Sequence, residues 1–412
     1  MSNIQSTPGP VCFSTNRIRR SPIFFVAAAL CIMTVISCKK NDSPASTMQQ
    51  DQEPACEPVQ FTSTAIDGRY IVMLNEAGAT GRLIQSADQA RVATNVLRQK
   101  HRIADAQLDE VLSSIHTGFI ARLTSKQADE LKADDGVQLV ERDRVITLGV
   151  GCFTVVKPSS AQWGVRRVGA GDGTGKRVWI IDTGVDPDHP DLNVDKTLSK
   201  SFITDETSIT DNNGHGTHVA GIIGALNNNI GTLGVASGVS IIALKALNGE
   251  GSGNTSGLIR ALNYVGQNAQ AGEVVNMSLG TDTVSLALDN AVRTLAARGI
   301  LFAIAAGNDR VKASLSSPAR VNAANVFTVS AIDSLGRFAS FSNFGNDVVD
   351  FAAPGVNIVS TYSQGRYARL SGTSMAAPHV AGILVLNGAH IIAKGTALND
   401  PDGVPDPIAA AY

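Results

Sequence analysis

Cysteine is almost missing from the body of this chain. Five are present in 412 residues (Cys12, Cys31, Cys38, Cys56 and Cys152) and none lies beyond Cys152, so the long remainder is expected to fold without a disulfide. Aromatic residues are scarce at 5%, whereas glycine numbers 39. That balance suits a close-packed α/β sheet with tight turns better than an all-β sandwich. Charge is sparse at 17% and nearly balanced, with a formal net charge of -2. A nucleic-acid partner, which needs a strongly basic face, is therefore not expected. Hydrophobic residues at 43% exclude global disorder. A bilayer-spanning run is lacking too, because the apolar stretch from Ile23 to Ile36 falls short of the ~20 residues required.

What is present at the start is a targeting signal. Arg17, Arg19 and Arg20 form a basic region ahead of that apolar stretch. The stretch ends in VISCKK, where Val35, Ile36 and Ser37 before Cys38 resemble the cleavage box of a bacterial lipoprotein. On that resemblance residues 1–38 are the signal, and Cys38 becomes the lipidated first residue and the membrane anchor. The alternative is an ordinary secretory signal with a chance cysteine. Either way the chain is expected outside the cytoplasm, anchored in the cell envelope or secreted. Residues 39–66 are polar and contain proline, and read as a flexible tether. Cys56 and Cys152 would meet an oxidising compartment, where one bridge is expected over two free thiols.

Two folded units follow. Across 67–148, RYIVMLN alternates like a strand, ADQARVATNVLRQKH has helical periodicity, and IHTGFIARL returns to strand. Thr124 with Gln127 three residues later makes a capping box for TSKQADELKAD, and VQLVERDRVITL is a last strand. A further short strand near Leu112 to Ile115 would complete a ferredoxin-like α+β unit. Across 149–412, RVWIID, SIIALKAL, GEVVNMSLG and ILFAIAAGN are continuous apolar runs, as strands covered on both faces should be. Helical patterns alternate with them, which predicts a doubly wound, mostly parallel sheet. GAGDGTGK looks phosphate-binding but precedes a strand instead of following one, and reads as a turn. After DPDG, also a turn, the chain reads as a polar tail.

In DNNGHGTHVAG, His215 and His218 are three apart with Asp211 just upstream. A metal pair on one helical turn is one reading; a catalytic base beside a packing residue is the other. Asp182 ends the strand RVWIID, where functional groups of such sheets gather. Ser374 lies in SGTSMAAPHVAG at a helix start, among the small residues Gly372, Ala376 and Ala377. A helix start offers unpaired N–H groups to a developing oxyanion. Asn308, after another strand, adds an amide donor. Serine, histidine base, orienting aspartate and amide donor together suit nucleophilic acyl transfer.

VWIIDTGVDPDHPDL, NGHGTHVAG, VNMSLG, AAGN and SGTSMAAPHVAG, in this order, resemble the subtilisin family of serine proteases, in particular its proteinase K-like branch. The likeness covers about residues 155 to 385, and the unit at 68–148 resembles the family's inhibitory propeptide. It implies a serine endopeptidase made as a zymogen, with no catalytic cofactor, acting on protein or peptide substrates and bound by its own propeptide, as a monomer. Asp182, His215, Ser374 and Asn308 take the catalytic positions. Gly251, Ser252 and Gly253, with Ser278, Leu279 and Gly280, match the two edges that sandwich an extended substrate, and Ala305, Ala306 and Gly307 floor the pocket for the residue before the scissile bond. ALNNNIGT resembles a structural calcium loop, with ligands carried over to the Asp191 carboxylate, the Asn228 side chain and the carbonyls of Leu226, Ile230 and Thr232. A second, weaker site would use Asp350 with the carbonyls of Ala324 and Val326.

Overall fold

The structure, a computed structural model, describes residues 60–75, 84, 86–148, 153–157 and 161–412. The signal, Cys38, most of the tether, Cys56 and Cys152 lie outside the described residues.

The first unit runs β1 (Phe61–Leu74), α1 (Ala87–Lys100), β2 (Leu108–Leu112), β3 (Gly118–Arg122), α2 (Ser125–Lys132) and β4 (Val137–Leu148). β4 and β3 flank β1 and β2 lies outside β3, all antiparallel, which is the ferredoxin-like order. The Thr124 capping box forms as the sequence predicts: Gln127 N–H donates to Thr124 Oγ1 at 3.2 Å and Thr124 N–H to Gln127 Oε1 at 3.0 Å. Two boundaries differ from expectation. β1 begins at Phe61, so residues 61–66 are strand and not tether; Phe61 pairs with Leu148 at the far end of β4. The extra strand ends at Leu112, because residues 113–117 turn outward to a partner: Ser114 N–H donates to the Asn263 side chain, and His116 Nε2 lies 2.9 Å from Thr294 Oγ1.

Strand alternation gives this small sheet two buried faces. Tyr70, Val72 and Leu74 pack with Ala93, Leu97 and Leu131 under the unit's own helices. Ile71, Met73, Ile120, Ile146 and Leu148 belong to the core of the second unit. A lone face of that kind would be an exposed apolar patch.

The second unit carries a nine-stranded sheet. Its central strands are β5 (Arg177–Asp182), β6 (Ser240–Lys245), β8 (Val274–Met277), β9 (Leu301–Ala305), β10 (Val326–Ile332) and β11 (Val349–Pro354), all mutually parallel where they pair. The short β7 (Ser252–Asn254) stands outside this sheet. Helices α3 (His215–Gly224), α4 (Thr255–Asn268), α5 (Leu286–Ala297) and α6 (Thr373–Asn387) cover it. β5 has β6 on one side and β8 on the other, so the chain reverses direction across the sheet at β5. Such a switch point leaves a crevice at the strand's carboxyl end, where Asp182 lies.

The expected polar tail is instead part of the sheet. β12 (Ile392–Thr396) and β13 (Pro407–Ala410) form an antiparallel pair, and β13 lies parallel to β11. Ile408, Ala409 and Ala410 are buried, and Ala411 N–H donates to the Val168 carbonyl at 2.7 Å. The alternation was masked by the run of alanines, whose side chains mark neither face.

Candidate active site

Asp182, fully buried as the last residue of β5, faces the first residue of α3. His215 Nδ1 lies 2.8 Å from Asp182 Oδ1 and 3.0 Å from Oδ2, and Thr183 N–H donates to the same Oδ1 at 2.7 Å. Glycine allows this closeness: a Cβ on Gly216 would sit 2.1 Å from the Gly184 carbonyl oxygen. Burial works against the His215 cation, but the charge and hydrogen bond of Asp182 outweigh it and hold the imidazole pKa above its ordinary value, with Asp211 adding to the effect.

Ser374 is the second residue of α6 and is 2% exposed. Its Oγ donates to the Ser278 carbonyl at 3.0 Å, while Ser278 Oγ donates to the Ser374 carbonyl at 2.9 Å. Among the described residues His215 Nε2 has no hydrogen-bond partner, and the serine hydroxyl rests on Ser278 and not on the base. Thr373 N–H and Oγ1 both donate to Asn308 Oδ1, at 2.8 and 2.9 Å, which fixes the amide's orientation. A Cβ on Gly372 would lie 3.5 Å from Asn308 Nδ2 and 3.6 Å from Ser374 N. Two donors therefore face the space that this glycine leaves open.

His218 is not a second ligand. Its Nε2 reaches the carbonyls of Ile358 and Ala368, both at 3.1 Å, and burial pushes its pKa down to about 3. Among the described residues no cluster of histidine, cysteine and acidic side chains is arranged to hold a metal.

The first unit occupies the cleft. β4 extends antiparallel along β7, pairing Thr147 with Ser252, Ile146 with Gly253 and Val145 with Asn254, and Leu148 N–H donates to the Gly251 carbonyl at 2.8 Å. This is strand addition to an open edge. At the other expected edge, Leu279 is buried and Gly280 faces the Phe61 ring. Ala305, Ala306 and Gly307 are buried at the end of β9, where Asn343 Nδ2 donates to the Ala306 carbonyl.

Two residues escaped the sequence reading. Glu141 accepts from Ser285 Oγ at 2.5 Å and Ala287 N–H at 3.0 Å, at the start of α5. Asp143 accepts from Ser256 N–H at 2.9 Å and Ser256 Oγ at 2.7 Å, at the start of α4. Each puts a carboxylate where a helix N-terminus has unpaired donors and a positive potential. Within VQLVERDRVITL they look like the ordinary charges of a solvated strand edge.

Residues 173–390 match the subtilase family and residues 69–149 match peptidase inhibitor I9. The chain belongs to the subtilase family. Alkaline serine exoprotease A of Vibrio alginolyticus is 33% identical over 378 residues, 88% of this chain and 68% of that protein. Subtilisin Savinase of Lederbergia lenta is 45% identical over 234 residues, 55% of this chain and 84% of its own. The crystal structure of a cold-adapted subtilisin-like serine proteinase superposes with a TM-score of 0.55 at 36% identity, over 61% of this chain and 98% of that one. This subtilase is accordingly a serine peptidase with an inhibitory propeptide, and its precursor is a zymogen.

The residues expected to bind calcium surround Asp191. Thr232 N–H donates to Asp191 Oδ2 at 2.9 Å, Leu226 N–H to the Asp191 carbonyl at 3.0 Å, and Ile230 N–H to Asn228 Oδ1 at 3.1 Å. Asp191 is fully buried and its Oδ1 has no partner among the described residues. Asp350 accepts from Thr328 N–H at 2.8 Å, and burial pushes its pKa up to about 6.

Proposed function

We propose that Ser374 is the nucleophile, His215 the general base and Asp182 the group that fixes its tautomer, with Asn308 and the Ser374 N–H as oxyanion donors. The buried His215–Asp182 pair, whose Nε2 has no partner among the described residues, supports this reading most directly. Catalysis exchanges one hydrogen bond: the Ser374 hydroxyl leaves the Ser278 carbonyl and donates to His215 Nε2. As Oγ attacks the scissile carbonyl, its proton passes to Nε2, and the imidazolium is stabilised by Asp182. The oxygen turns towards the two donors at Gly372, and His215 then returns the proton to the leaving amine. A fluorophosphonate should label Ser374 in the matured enzyme and miss the Ser374→Ala chain; labelling at another serine would refute the assignment.

Substrates bind as β4 does, as an added strand along Gly251, Ser252 and Gly253, with Ser278 to Gly280 opposite and Ala305 to Gly307 as the pocket floor. Ile146 and Leu148 are both buried in the cleft, so aliphatic side chains at alternate positions suit it.

The orphaned oxygen of buried Asp191 supports a structural calcium ion held by Asp191, Asn228 and the carbonyls of Leu226, Ile230 and Thr232, since a hard cation takes oxygen ligands. Asp350, with the carbonyls of Ala324 and Val326, is the proposed weaker site. A chelator should lower the melting temperature by several degrees, the range expected when a ligand near a hundred times its Kd is removed from a domain of this size. A melting curve indifferent to chelator would exclude the Asp191 site.

The basic and apolar start and the VISC sequence support export and lipid anchoring through Cys38. The parent chain should partition into the detergent phase and a Cys38→Ser chain into the aqueous phase; equal partitioning of both would rule the anchor out.

A further inference from the structure

Asp211, the acid of DNNGHGTH, takes no catalytic position in the reading above, yet it is 2% exposed and both of its oxygens are hydrogen-bonded. Its Oδ1 accepts from Thr183 Oγ1 at 2.8 Å, Asn213 N–H at 3.0 Å and Gly214 N–H at 2.8 Å. Its Oδ2 accepts from Thr217 N–H at 2.8 Å and Thr217 Oγ1 at 2.6 Å. Both hydroxyls are committed as donors, because each also receives an N–H: Gly216 N–H on Thr183 Oγ1 at 2.9 Å, and Asp186 N–H on Thr217 Oγ1 at 3.0 Å. A proton on the carboxyl would find no acceptor among these contacts. Burial pushes the Asp211 pKa upward, and the five donors work against that rise; it is the all-donor surroundings, with no acceptor for a carboxyl proton, that favour the charged form.

These contacts join the two halves of the catalytic pair. Thr183 follows Asp182 and donates its N–H to the Asp182 carboxylate, so one oxygen of Asp211 holds the end of β5. Gly214 and Thr217 bracket His215, so Asp211 also holds the start of α3. We propose that Asp211 is a positioning residue for the triad, which locks the strand end of Asp182 to the helix start of His215 and supplies a second buried negative charge to the imidazolium. The proposal rests on the catalytic reading above.

Other charged or titratable groups pack around this pair. Asp182 is the direct partner on β5. His218, one turn along α3, is neutral. Lys245, fully buried on β6, donates to the Thr183 carbonyl at 2.7 Å and lies 3.5 Å from Glu206. From the strand at Ile358–Tyr362, Tyr362 donates its hydroxyl to the Asn213 carbonyl at 2.7 Å.

Peptide hydrolysis needs His215 neutral at the outset and cationic in the transition state. Removing the Asp211 charge makes the cation less favourable, which lowers the His215 pKa and slows turnover together. A residue that only supported the fold would lower activity without moving the pH profile.

The test uses the full chain after it has matured, carrying Asp211→Asn, with the rate of Ser374 labelling by a fluorophosphonate and kcat/KM both followed against pH. The acid limb should move down by about half a pH unit, the scale of one added charge acting through a screened interior, and plateau kcat should fall about tenfold. An unmoved acid limb overturns the proposal. If the asparagine chain does not fold, Asp211→Ser keeps a cap acceptor without the charge and is read in the same way. Thr183→Val leaves the charge and cuts the link to β5, so kcat should fall while the limb stays. Unchanged kcat in Thr183→Val overturns the positioning role independently. If the parent enzyme itself is not labelled at Ser374, the catalytic reading fails; if it is labelled and the limb does not move, only the role of Asp211 fails.

Discussion

Ser374→Ala is expected to remove peptide hydrolysis almost completely and to leave the precursor uncut. The loss should be about a million-fold, the size documented for removal of the nucleophile in subtilisin. What remains is a fold that already binds its own propeptide: β4 lies along β7, and the main chain enters the cleft at Leu148. Maturation by the chain's own active site is therefore a unimolecular event, and its absence shows as one band of full length at every protein concentration. The parent chain should yield two bands at a rate that does not change on dilution. A Ser374→Ala precursor that matured when purified would mean that another group, or another enzyme, makes the cut.

Replacing both Glu141 and Asp143 with alanine is expected to weaken the hold of the cleaved propeptide on the enzyme by about three orders of magnitude. Each carboxylate accepts two hydrogen bonds at the start of a protease helix. Hydrogen bonds to a charged group contribute about 1.5–3 kcal/mol, and losing one such anchor on each of two helices comes to about 4 kcal/mol, or roughly 10³ in Kd. Burial already pushes the Glu141 pKa up against these bonds, which places its contribution towards the lower end. The measurement is dilution of the matured complex: the concentration at which activity appears should rise about a thousand-fold in the double variant. An unchanged release concentration would place the affinity in the apolar face of the small sheet instead.

The five motifs made the strand ends and helix starts around Asp182, His215, Asn308 and Ser374 readable, because each couples such a terminus to a residue of known chemistry. The cap of α2 and the presence of a strand at β4 were readable for the same local reason. What the sequence hid is long-range. Asp143 and Ser256 are 113 residues apart, and Glu141 and Ala287 are 146 apart, so no window of sequence contains both donor and acceptor. Asp211 was visible only as a possible ligand, because the donor that ties it to the strand of Asp182, Thr183 Oγ1, is 28 residues away in the chain. The position of the Ser374 hydroxyl on Ser278 is a side-chain rotation, which spacing does not encode. β13 was missed for want of contrast between its two faces.

The way β7 takes up β4 also bears on which proteins this enzyme can digest. The strand offers backbone groups to a partner that is already extended, and few natural chains present such a segment while folded. A target has to open locally before it can lie in the cleft. When opening and closing are fast, its rate of digestion then follows the free energy of that opening more than the identity of any one residue. The enzyme would thus sort a mixture of proteins by conformational stability, removing damaged or loosely folded chains first and sparing compact ones, its own mature domain included.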